Sequence, residues 1–134
     1  LYSSAASDVY KRQDAGVAYG TEDWTRAESH YLIAARGLPA DPEPWFKLGN
    51  LYYRTGRHDR AARAYEQALQ RAPGHAKAWH NLGVVRLHQA DASFEHVLNG
   101  AEAHDGALDD RAQQMRDILD DAITPTPVGP GATP

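Results

Sequence analysis

Four histidines recur at intervals of eight residues, His80, His88, His96 and His104, and imidazole is a common ligand for divalent metals. Helical geometry argues against a shared ion. Eight positions turn a helix by about 800°, so each ring points roughly 80° away from the last. Two ligands on one helix sit instead at i, i+4, and no histidine pair in the chain has that spacing. The acidic pairs Asp109-Asp110 and Asp120-Asp121 suggest a cation site or a shared proton. Adjacent helical residues diverge by about 100°, however, and no glycine-turned calcium loop surrounds either pair, so they read as a solvated face. There is no Cys, no G-x-S-x-G and no phosphate loop. The sequence therefore predicts no catalytic residue, no metal and no cofactor. The expected chain is not an enzyme.

Composition narrows the classes further. The 134 residues suffice for one small domain or a few repeats. The lack of Cys excludes disulfides and suits the cytoplasm and the periplasm equally. No apolar run approaches the roughly 18–20 residues of a membrane-spanning helix, so direct membrane insertion is not expected. Residues 42–90 carry three acids against eight Lys and Arg, a net +5, whereas residues 91–123 carry nine acids against two Arg, a net −7. No strongly basic, aromatic-bearing surface accompanies this split, so nucleic acid is not an expected partner. Ten Arg to two Lys beyond residue 13 fits the codon bias of a GC-rich bacterial gene.

The elements follow from a period of thirty-four residues. Trp45, Leu48, Gly49 and Tyr52 share one helical face at i, i+3, i+4, i+7. Ala61, Tyr65, Ala68 and Pro73 come next. One period earlier stand Ala27, Tyr31, Ala34 and Pro39, and one period later Trp79, Leu82 and Gly83. Helices are predicted over 42–54, with Asp41 as N-cap, and over 58–71, separated by Thr55-Gly56 and closed by Pro73-Gly74. Gly49 and Ala61 lack bulk so that the two backbones can approach. Tyr65 and the tryptophans are expected to fill the core. The third copy departs from the pattern: Glu95, Asn99 and Glu102 stand where Ala, Tyr and Ala are due. One long helix over 76–98 is predicted, ended by Asn99-Gly100, with a shortened pair turning near Gln89–Ala92 as the alternative. Residues 107–123 form an amphipathic helix with Leu108, Ala112, Met115, Ile118, Leu119 and Ala122 as its packing face.

These residues resemble the tetratricopeptide repeat family over roughly residues 15–88. The resemblance implies an all-α, right-handed helix-turn-helix solenoid. Its expected organisation is a partial repeat at 14–41, a full one at 42–75, a degenerate one at 76–106 and a capping helix at 107–123. A Pro/Gly-rich tail at 124–134 is expected to be disordered. Residues 1–13 stand apart, because S-S-A-A-S-D-V-Y-K-R-Q at 3–13 resembles a translated sequencing adapter. The native sequence is expected to begin near Asp14 as a fragment of a longer protein.

The family's concave groove, commonly occupied by a peptide or helix of a partner, maps onto Phe46, Lys47, Asn50, Tyr53 and Arg54 of one helix. On the next helix it maps onto Lys77, His80, Asn81, Val84 and His88. The resemblance thus implies a protein-protein interaction scaffold whose weakly basic groove suits an acidic or extended peptide. The alternative is an accessory segment of a larger enzyme or of an assembly or secretion machine, with its active domain upstream. With its N-terminal neighbour missing, the chain is also expected to self-associate through the face around Tyr19, Trp24 and Tyr31.

Overall fold

The computed structural model of the chain describes residues 21–100 and 105–124, which hold five helices and no strand. They are α1 (Thr21–Gly37), α2 (Glu43–Arg54), α3 (His58–Arg71), α4 (Ala76–Asn99) and α5 (Gly106–Ile123). The chain divides into two compact units, one reaching Val85 and the other beginning at Arg86, and α4 runs through both. The readings made for residues 1–13, for the remnant helix at Ala15–Tyr19, for His104 and for the tail beyond residue 124 lie outside the described residues.

In the first unit each boundary has a local cause. The Asp41 carboxylate accepts the Glu43 N–H at 2.9 Å and satisfies one of the donors that a helix start leaves open. Pro42 and Pro44 fit there because a first turn needs no N–H from them. At the other end of α2, Gly56 takes a left-handed φ of 74°, cheap only for glycine, and its N–H closes onto the Tyr53 carbonyl. His75 starts α4 by accepting the Ala78 N–H on Nδ1 at 3.1 Å, while its Nε2 lies 3.1 Å from Glu43 at the start of α2.

The repeat stripes are buried in phase. Ala61, Tyr65 and Ala68 of α3 and Ala27, Tyr31 and Ala34 of α1 are all enclosed. A Cβ built on Gly49 would fall 2.8 Å from Tyr65 Cζ and closer to two other ring carbons. Only glycine at this position lets α2 and α3 come together. Between α1 and α2, Glu28 accepts from the Tyr52 hydroxyl at 2.8 Å and from Arg57 at 3.1 Å, with the Arg57 guanidinium 4.7 Å from the centre of the Tyr52 ring. Arg71 donates to the Pro39 carbonyl at 2.7 Å and covers the half-buried Trp45 ring at 5.2 Å.

Trp79 departs from its expected place in the core. It is 56% exposed, and its indole N–H donates to the Pro73 carbonyl at 2.8 Å. The reason is the degenerate third copy. Trp45 is half-buried beside Arg71 of α3, but after Trp79 the chain continues in α4 without a turn near 89–92. Tyr31, expected on a self-association face, is buried, and Trp24 packs against the core. The burial of Tyr31 follows from its repeat position, which is that of Tyr65.

The second unit contains α5, whose first turn is capped by the Asp105 carboxylate accepting from the Ala107 N–H at 3.1 Å. Arg116 meets Asp91 of α4, with Nε 2.8 Å from Oδ1. Ala112 and Leu119 are the buried residues of α5. Leu108, Met115, Ile118 and Ala122, expected on the packing face, are exposed instead. The packed stripe runs through Ala112, Arg116 and Leu119 at i, i+4, i+7. The exposed apolar residues lie to one side of it, between roughly 50° and 130° around the helix.

Candidate functional site

A cavity of about 400 Å³ opens in the first unit, lined by Asn50, Tyr53 and Arg54 of α2, Tyr65 of α3, and Asn81 and Val84 of α4. The helix period explains who faces it. Asn50, Tyr53 and Arg54 stand at i, i+3, i+4, and Asn81 and Val84 at i, i+3, so each helix presents one stripe.

Two donors converge on one oxygen at its wall. The Tyr65 hydroxyl donates to Asn50 Oδ1 at 2.7 Å, and the Asn81 amide donates to the same atom at 3.0 Å. This fixes both asparagines. The Asn50 amide nitrogen and the Asn81 carbonyl oxygen have no partner among the described residues, and neither is sealed from solvent. An amide donor and an amide acceptor on two lining residues are the groups that pair with the C=O and N–H of a polypeptide. Burial pushes the Tyr65 phenol up to about 12, opposed by the Asn81 amide, so the hydroxyl stays a donor at neutral pH. Arg54 is exposed at the rim, and no acidic side chain lines the cavity. The local field therefore favours an anionic group.

Of the ten residues expected on the groove, Asn50, Tyr53, Arg54, Asn81 and Val84 are brought together here. Lys47 is half-buried on α2, and Lys77 and His80 are exposed on α4, all outside the lining. His88 belongs to the second unit. Phe46 is a correction: it is only 8% exposed, inside the core, with its ring 6.0 Å from that of Tyr65 and 4.7 Å from that of His75. Its neighbours in the core come from two other segments, and an aromatic ring there is worth more buried than wet. Tyr65 was the residue missed. A tyrosine rather than a phenylalanine at a buried repeat position signals that its hydroxyl has a partner, and that signal was present in the sequence. Among the described residues, no group of three or more His, Asp or Glu is close enough to hold a metal ion, and no helix is long and apolar enough to cross a membrane.

Comparison with known proteins adds a family and three relatives. The profile of the tetratricopeptide repeat matches residues 42–75. The peroxisomal targeting signal receptor of Candida glabrata is 28% identical over 89 residues, which cover 65% of this chain and 15% of the receptor. Its namesake from Candida albicans is 29% identical over 105 residues, covering 76% of this chain and 18% of the receptor. A TPR repeat-containing protein of Halalkalibacterium halodurans is 42% identical over 45 residues, 34% of this chain and 20% of that protein. The match thus spans a fifth or less of each relative's length.

Proposed function

We propose that this chain, which carries a tetratricopeptide repeat at residues 42–75, binds an extended segment of a partner protein in the cavity between α2, α3 and α4. The observation that carries the reading is the asparagine pair. Both asparagines line the cavity, and the Tyr65 hydroxyl and the Asn81 amide both donate to Asn50 Oδ1, which leaves Asn50 Nδ2 and Asn81 Oδ1 for a ligand. In the bound state they grip one peptide unit of the ligand backbone, which is independent of ligand sequence. Tyr53 and Val84 supply an apolar wall, and Arg54 selects for an acidic side chain or a terminal carboxylate. Lys47 and Lys77 act at longer range by attracting an acidic ligand. The site works by binding, and no step of catalysis is assigned to it. Preformed hydrogen bonds spare the host the cost of ordering these side chains when the ligand arrives. Two relatives are named as receptors for a targeting signal, which agrees with recognition of a partner.

An acidic peptide selected for binding to the parent provides the test. With Lys47→Glu and Arg54→Glu together its binding should be abolished, and added salt should weaken binding to the parent. Equal affinity for the parent and the double variant in isothermal titration would remove the groove assignment.

A further inference from the structure

The repeat period sets two equivalent helix faces side by side for comparison. Gly49 and Gly83 hold one repeat position, Trp45 and Trp79 another. The Tyr65 ring lies over Gly49, and Trp45 is half-buried beneath Arg71. Nothing lies within 4 Å of a Cβ built on Gly83, and Trp79 is largely exposed. In the first unit α4 therefore presents a face shaped to receive a second helix, and among the described residues no helix covers it. On α5, Leu108, Met115 and Ile118 form the exposed apolar stripe. With Trp79 they account for four of the five exposed large apolar side chains among the described residues, so the apolar surface left open is concentrated on these two faces.

Charge decides which faces can meet. Helix α5 carries Asp109, Asp110, Asp117, Asp120 and Asp121 against Arg111 and Arg116, a net −3. Residues 76–90 of α4 carry Lys77 and Arg86 and no acid, a net +2. Two α5 helices from separate copies would oppose like charges, whereas α5 against the Trp79–Gly83 face pairs opposite ones. We propose that the Leu108–Met115–Ile118 stripe of one copy docks on the Trp79–Gly83 face of α4 in a second copy of this chain. Met115 is the side chain suited to the open space over Gly83, because its unbranched thioether adapts in shape and packs well against an indole ring. Asn81 and Val84 lie at least about 100° around α4 from Gly83, so the docking leaves the peptide cavity untouched. The contact joins two different faces. It is either exchanged reciprocally in a two-fold dimer or repeated head to tail.

Sedimentation velocity over a wide concentration series tests this with two variants. Gly83→Leu fills the α4 face where there is room for a side chain, and Met115→Glu charges the α5 stripe at an exposed position. Both should keep the parent's circular dichroism. The parent should associate as concentration rises, and each variant alone should associate at least about tenfold more weakly. Mixing the two variants should restore a complex, since one supplies an intact α5 and the other an intact α4. A parent that stays monomeric, association that both variants retain, or a mixture that forms no complex would each overturn the proposal. A monomer that Met115→Glu merely destabilises would overturn it too, by placing the stripe against its own chain.

Discussion

Tyr65 rests its ring on Gly49 and its hydroxyl on Asn50, so one side chain couples helix packing to the candidate site. Tyr65→Phe keeps the ring and removes the donor, and should cost about 1 kcal/mol in urea denaturation. Gly49→Ala forces a methyl into the ring and should cost roughly 1–3 kcal/mol. Gly83→Ala, at the same repeat position with open space, should raise stability by up to about 1 kcal/mol, the helix-propensity difference alone. Equal effects at the two glycines would mean that close approach of helices is not what the repeat glycine provides. Tyr65 also sets an alkaline limit. Burial raises its pKa from 10.0 to about 12, and burial, followed by the Glu28 hydrogen bond, raises that of Tyr52. The fold thus prefers both phenols protonated. The stability this gives is complete below pH 10 and is lost as pH rises from 10 towards 12. Alkaline titration followed by circular dichroism should show unfolding in that window, and an intact helical signal above it would contradict the burial of these two rings.

At the scale of the helices, the Arg116–Asp91 pair joins α5 to α4 within the second unit. The Arg116 guanidinium holds the Asp91 carboxyl below the usual carboxylate value of 3.8. A lowered pKa in the folded chain contributes stability above the usual value, and this is lost as pH falls below it. Amide exchange in α5 should therefore accelerate in acid and in Asp91→Asn at neutral pH, with α1 to α3 unaffected. Uniform acceleration in all helices would instead tie α5 to the fold as a whole. The same pair shows where sequence reasoning stops. Helices α2 and α3 were legible because Thr55-Gly56 and Pro73-Gly74 punctuate them, and the length of α4 because no Gly or Pro interrupts 84–99. The packed face of α5 was not legible, since Ala112–Leu119 and Leu108–Met115–Ile118 both have helical spacing. A partner 25 residues away chooses between them. Phe46 was misplaced for a similar reason, because the rings of Tyr65 and His75 close over it from two other segments. The shared stripe of Asn50, Tyr53, Arg54, Asn81 and Val84 was readable from periodicity joined to the family resemblance. The hydrogen bonds that orient the asparagines required coordinates.

At the largest scale, the described residues are all-helical and their surface offers two separate opportunities. One is the cavity, with its fixed amide donor and acceptor. The other is the open back of α4. In the proposed function the asparagine pair reads the backbone of a partner segment. Replacing Asn50 and Asn81 by Ala removes two ligand hydrogen bonds, worth together about 2 kcal/mol or roughly thirtyfold in affinity. The most direct measurement is to pan a random linear peptide library against the parent and against the Asn50→Ala, Asn81→Ala variant, with folding of both checked by circular dichroism. Peptides enriched on the parent and lost on the folded double variant are the predicted result. Peptides enriched equally on both, or none on the parent, would contradict the account.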